Sequence, residues 1–112
     1  MLISNMAYNG LMHIAYATHM DWFEIRTKKG EDYVYDNEAG VYIPLQKGLN
    51  DFAEGITDPW DDYIRPSTSK EEIYAARDLF KEIGIKTDYE RYNDFQNAIH
   101  NHFKERRINN DC

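Results

Sequence analysis

Residues 22–45 read WFEIRT (22–27), KKGE (28–31), DYVYD (32–36), NEAG (37–40) and VYIPL (41–45). Three runs rich in aromatic and branched residues alternate with two four-residue groups, each carrying a glycine where a tight turn needs one. Connections this short join neighbouring antiparallel strands, so the stretch predicts a three-stranded antiparallel β-meander. Alternation assigns Phe23, Ile25, Val41, Ile43 and Leu45 to its buried face.

On either side of the meander the period changes to that of a helix. Leu11, Met12, Ala15 and Tyr16 recur at helical spacing between Tyr8 and His19, with Asn9 and His13 on the polar side. After the strands, Gly48 to Ile56 forms a weak helical turn around Leu49, Phe52 and Ile56. Asp58-Pro59-Trp60-Asp61 then supplies an N-cap, a proline at the first helical position and an acid in the first turn. That helix runs only to about Ile64, because Pro66 disfavours helical geometry at Arg65.

Ser69 with Glu72 spells a capping box, and Gly84 is placed to end a helix that turns Ile73, Ala76, Phe80 and Ile83 inward. Thr87 with Glu90 repeats the signal and opens a helix through about Arg107, with Tyr92, Phe95, Ile99 and Phe103 as its inward stripe. The link Ile85-Lys86-Thr87 is short enough to predict that these two helices pack as a hairpin. The expectation is an α+β fold in a single domain over residues 1–112: an N-terminal helix, a three-stranded antiparallel β-meander, short helical turns and a C-terminal helical hairpin. Arg65 to Ser69 reads as a surface loop, and no repeat or linker divides the chain.

The chain has 112 residues, a formal net charge of −7 and 42% hydrophobic residues, the composition of a folded acidic protein rather than a disordered one. Phosphates would repel it, so bare nucleic acid is not an expected ligand. Its one cysteine, Cys112, permits no internal disulfide and points to a reducing compartment. Residues 1–20 hold no Lys, Arg, Asp or Glu, yet they lack a basic leader region, and Asn5, Asn9, Gly10, His13 and His19 interrupt any apolar run. Neither a signal peptide nor a membrane span is therefore expected, and the location implied is cytoplasmic.

The charge is concentrated. Glu31 to Asp62 contains nine carboxylates against Lys47 alone, a balance of −8, so the rest of the chain sums to +1. The same stretch holds Tyr33, Tyr35, Tyr42, Phe52 and Trp60, which places the acids on a folded surface rather than in a tail. Glu31, Asp32, Asp36, Glu38, Asp51, Glu54, Asp58, Asp61 and Asp62, with Trp60 and Tyr63 as aromatic anchors, are the candidate partner-binding residues. A solvated face kept acidic for solubility is the plainer explanation of the same charges. DNA carries about one charge per 1.7 Å of its axis, so carboxylates roughly 5 to 7 Å apart suit a groove built for phosphates. The expected partner is a basic protein, in particular a nucleic-acid-binding enzyme.

No catalytic motif accompanies these acids. His100 and His102 are two apart, which on a helix turns them away from each other, whereas shared metal ligands need a spacing of three or four. His13 and His19 are likewise off register. Asp58, Asp61 and Asp62 are close enough in sequence to converge on magnesium, but capping accounts for Asp58 and partly for Asp61. Cys112 has no base near it in sequence. No catalytic residue, metal or cofactor is expected, and a metal-dependent hydrolase using Asp58, Asp61 and a histidine is the weakest of three readings.

The opening Ser4-Asn5-Met6-Ala7-Tyr8-Asn9, followed by Ala15-Tyr16, resembles the start of the Ocr-type phage antirestriction proteins, which mimic DNA and block restriction enzymes. The resemblance covers about sixteen residues of 112, and the chain departs from it downstream, since Ocr is more acidic and essentially helical. The order of helix, three strands and two helices, with an acidic surface, is also similar to some small anti-CRISPR proteins that occupy the site where a nuclease reads DNA. Both resemblances imply a small phage-type inhibitor of a host defence or transcription protein, acting in the host cytoplasm. An acidic interaction module without mimicry, of the immunity or adaptor kind, is the alternative.

Overall fold

The structure is a computed structural model that describes residues 1–66 and 69–110, with side chains described as far as Lys104. Cys112 and the middle of the expected Arg65 to Ser69 loop lie outside the described residues. Element order is α1 (Asn5–Ala17), β1 (Phe23–Lys28), β2 (Glu31–Asp36), β3 (Val41–Pro44), α2 (Leu45–Ala53), a 3-10 turn (Trp60–Tyr63), α3 (Lys70–Ile83) and α4 (Asp88–Asn110). The mixed α+β order expected from the sequence is observed.

The sheet is antiparallel in the order β1-β2-β3. Lys29 and Gly30, with φ of 53° and 76°, form a two-residue hairpin turn of the kind whose twist suits the flanking strands. The second turn is held by the Asp36 carboxylate, which accepts from the backbone N–H groups of Glu38 and Ala39 at 3.0 Å each. Register pairs Ile25 with Val34 and Val34 with Ile43, so these three share the inner face. Val41 and Leu45 depart from expectation: Val41 is exposed at the sheet's end, and Leu45 is the first residue of α2. Pro44 explains the boundary, since it has no N–H for the ladder and its φ of −51° leads into a helix.

Helix α2 lies on the inner face, pressed against β2 at Gly48. A Cβ at Gly48 would stand 2.3 Å from both Val34 Cβ and Cγ2. Helix α1 begins one turn earlier than expected, at a cap where Ser4 Oγ accepts from Ala7 N at 3.1 Å, and ends in His19 at φ 58°. Its buried face is Ala7, Gly10, Leu11, Ile14 and Ala15, while Tyr16, expected inward, is 87% exposed. This face packs on α3, the most extensive helix pairing in the molecule. The approach is close because Gly10 has no side chain: a Cβ there would be 2.1 Å from the Glu72 carbonyl oxygen.

Helix α3 follows its signals. Glu72 Oε1 accepts from Ser69 N at 3.3 Å, and Gly84 closes the helix in the left-handed region at φ 77°. Ile73, Ala76, Leu79 and Phe80 are buried, and Ile83 packs at the edge. Between the layers the aromatic rings form a chain. Phe52 meets Phe23 at 4.3 Å and Phe80 at 6.3 Å between centroids, and Phe80 meets Trp60 at 5.3 Å.

The two C-terminal helices are present in the expected order, but they do not pack extensively along each other. Thr87 and Glu90 make their capping box, with both backbone bonds at 3.1 Å. The root of α4 is then tied elsewhere: Tyr89 N donates to Ile56 O at 3.1 Å, Trp60 Nε1 to Glu90 at 3.3 Å, and Arg91 to Asn50 Oδ1 at 3.1 Å. Beyond that root α4 runs out from the body without extensive packing on α3. A compact chain of this length has a radius of gyration near 13 Å. Here it is 17.4 Å, and the longest dimension is 63 Å. Consequently Tyr92, Phe95 and Phe103 are 60–62% exposed.

Gly10→Ala tests the close helix pairing. The obstructing atom is backbone and cannot rotate aside, so the variant should lose about 3 kcal/mol of unfolding free energy, the upper end of overpacking costs. Urea unfolding followed by circular dichroism measures it. A midpoint equal to that of the parent would contradict the packing.

Candidate functional site: a divided acidic surface

The nine carboxylates do not gather on one face. Asp32 shares the inner sheet parity with Val34 and is buried. Its carboxylate accepts from Ile3 N at 2.8 Å and from the Thr27 hydroxyl, and its own N–H donates to Met1 O at 2.9 Å. This bonding lies just past the end of β3, which pairs with β2 no further than Tyr33. Residues 1–3 therefore take over the bonding that β3 leaves open, and Asp32 is a fastening rather than a displayed charge.

Trp60 and Tyr63 are also placed differently from the sequence expectation. Both are core residues at 7% and 5% exposure, so neither is a surface anchor. Their four-residue segment is a 3-10 turn preceded by Pro59, with no side-chain cap. Asp58 thus does not cap it, and remains exposed at a bend. The reason is local: proline at 59 starts the turn one residue later than an Asp58 cap requires.

The remaining acids fall into two groups. Glu31 has the parity of Tyr33 and Tyr35 and projects from the open face of the sheet, away from α2. Asp36 is spent on its own turn, and Glu38 stands in that turn at the far end of β2. Asp51 and Glu54 belong instead to α2 and its C-terminal end, and Asp58, Asp61 and Asp62 to the 3-10 turn and the residues before it, a turn that packs on α3 and α1. Asp51 pairs with Lys47 at 3.4 Å, and Asp61 accepts from the Tyr74 hydroxyl at 2.9 Å. That bond holds the Tyr74 phenol above its ordinary value of 10.0. Glu54, Asp58 and Asp62 are exposed and form no ion pair with a described residue.

The open sheet face is aromatic, and its basic groups Arg26 and Lys28 match its acids Glu24 and Glu31 in number. Arg26 lies over the Tyr35 ring at 3.8 Å and Lys28 over Tyr42 at 4.3 Å, while Tyr42 packs on Tyr35 with centroids 4.9 Å apart. Each cation covers a ring face and offsets part of the charge of Glu24 and Glu31. Periodicity alone did not reveal this stacking, since it depends on which residues become cross-strand neighbours.

His13 and His19 line one surface cleft of about 500 Å³ with Tyr16, Tyr63 and Pro66. His13 Nε2 is 3.7 Å from Glu72 Oε1. Among the described residues, no group of three or more His, Cys, Asp and Glu is arranged to hold a metal ion. None of the described helices is long and apolar enough to cross a membrane. No family model, curated protein or solved structure matches the chain.

Two measurements check these placements. Asp32→Ala leaves the Ile3 N–H and the Thr27 hydroxyl without their acceptor, so stability should fall by about 1–3 kcal/mol. Cleavage of residues 1–4 by an aminopeptidase should accelerate, and an unchanged rate would contradict the fastening. Burial holds the Tyr63 phenol above its ordinary value of 10.0, with the Asp58 backbone acting in the other direction. The unfolded chain then loses this proton first as pH rises, so stability declines from pH 10 upward through the folded value. Tyr63→Phe should flatten that alkaline decline in urea titrations at successive pH values, and an identical slope would refute it.

Proposed function

We propose that this chain is a non-enzymatic binding protein that covers the basic, nucleic-acid-handling surface of a host protein, using the segment Asp51–Asp62. The observation that carries the proposal is the state of that segment. It holds five carboxylates and no Lys or Arg, and Glu54, Asp58 and Asp62 are exposed without an ion pair to any described residue. Charges of one sign left unneutralised on a structured surface steer a basic partner and make association fast and salt-sensitive. The Ocr-like opening, Ser4 to Asn9, supports an inhibitor of a restriction, CRISPR or transcription protein as the class of activity.

A second reading, an acidic adaptor or immunity-type module without DNA mimicry, is favoured by the division of the acids. Glu31 and Glu54 point from opposite layers, and Asp32 is buried. A duplex presents its charges along one continuous path, whereas this surface presents a short run of five. Competition separates the two readings, because only a partner bound at its nucleic-acid site is released by duplex DNA.

The test is a pulldown from bacterial lysate with immobilised protein, eluted in parallel with duplex DNA and with salt. The expected result is a basic nucleic-acid-binding protein released by both. Release by salt alone would transfer support to the adaptor reading. The variant Glu54→Lys/Asp58→Lys/Asp62→Lys alters carboxylates that form no ion pair with a described residue, so it should keep the parent's circular dichroism spectrum. It should weaken capture by at least about tenfold, chiefly through the association rate. Undiminished capture would remove the segment from the interface.

A further inference from the structure

The stripe on α4 is an apolar feature that leaves three aromatic rings exposed among the described residues. At 100° per residue, Tyr92, Phe95, Ile99 and Phe103 fall within an arc of about 80° and extend along about 17 Å of helix. Tyr92, Phe95 and Phe103 are 60–62% exposed, and Ile99 is half-buried by its own helix neighbours. Aromatic side chains have about 150–250 Å² each to bury, so these three leave roughly 300–450 Å² of ring surface in water. That is as large as the biggest patch on most monomeric proteins, and such patches are usually interaction sites.

The helix also needs support. Asn93, Asn97 and Asn101 are weak helix formers, and α4 has no extensive packing against another element to offset them. Most helices of this kind owe their stability to a packed apolar face. Among the described residues, the bonds that tie α4 to the rest of the chain lie in its first two turns, through Tyr89, Glu90, Arg91 and Asp94, whose carboxylate pairs with Lys86.

We propose that α4 pairs with α4 of a second copy of this chain, antiparallel, through the Tyr92, Phe95, Ile99 and Phe103 stripe. Two observations select this occupant. The first is charge: residues 88–97 hold three acids against one base, a balance of −2, and residues 98–110 hold three bases against one acid, a balance of +2. An antiparallel pair sets unlike halves side by side without requiring any particular ion pair, whereas a parallel pair sets like against like. The second is area. Two stripes together offer roughly 600–900 Å² of ring surface before polar surroundings are counted, which approaches the roughly 1,200 Å² of a specific interface. In this arrangement Ile99 meets the partner's Ile99 near the two-fold axis, and Phe95 lies against the partner's Phe103. The bodies then sit at opposite ends of the helix pair, clear of one another.

Sedimentation equilibrium of the full chain from micromolar to submillimolar concentration tests the pairing. The expected result is a concentration-dependent dimer, and Phe95→Glu/Phe103→Glu should be monomeric with urea unfolding of the body unchanged, since both rings are exposed. A parent that stays monomeric throughout, or a double variant that still dimerises, would overturn the proposal. Orientation is read by disulfide formation in a Cys112→Ser background. Ile99→Cys should crosslink to itself and Tyr92→Cys should not. Equal crosslinking at both positions would establish a parallel pair and refute the antiparallel one.

Discussion

Phe52 is the contact on which the layers of this protein depend. It stands on α2 with Phe23 of the sheet on one side and Phe80 of α3 on the other, and it is fully buried. Phe80 passes the chain of contacts to Trp60, whose indole is packed in the core while its N–H donates to Glu90 at the base of α4. One row of rings thus joins sheet, α2, α3 and the 3-10 turn, and its last member aims the projecting helix. Fully buried aromatic side chains of this size cost about 3–5 kcal/mol when truncated, a large share of the stability of a chain of 112 residues. The glycines at 10 and 48 serve the same layering, by letting helix backbones come close enough for the rings to meet.

What could be read from the sequence was what is decided locally. The Lys29-Gly30 turn, the Ser69/Glu72 and Thr87/Glu90 boxes and the Gly84 stop each depend on a few adjacent residues, and each is found where expected. Choices that depend on distant partners were not legible. Tyr16 and Ile14 are both consistent with an apolar helix face, and only the position of α3 decides that Ile14 is inside. Asp32 looks like any surface acid until residues 1–3 fold back to use its carboxylate. The stripe on α4 was visible, but its partner was not, because an amphipathic pattern gives a direction without saying which surface meets it.

The division of the acidic stretch has an electrostatic meaning beyond the count of charges. Screening limits exposed charges to about 8–10 Å of influence at physiological salt. Acids divided between the sheet and the helical elements therefore reinforce one another only where they lie within that range. The run of −8 in sequence is not displayed as one local charge, since Asp32 is buried and Asp36 is bound in its own turn. On the open face, Arg26 and Lys28 lie flat on tyrosine rings, so even the basic groups there are partly withdrawn from solvent.

Pro44 has a consequence for how this protein meets others at all. It cuts β3 to four residues, and the chain from Met1 to Ile3 occupies the bonding positions along β2 that a longer third strand would fill. The opposite edge, β1, bears Arg26, Lys28 and the adjoining Lys29. Short strands, prolines and lysines are what sheets use to discourage an incoming strand. Recruitment by extending the sheet with another chain's backbone is thereby disfavoured, and recognition falls to side chains. A surface read through side chains distinguishes one sequence from another, which main-chain ladders do only weakly.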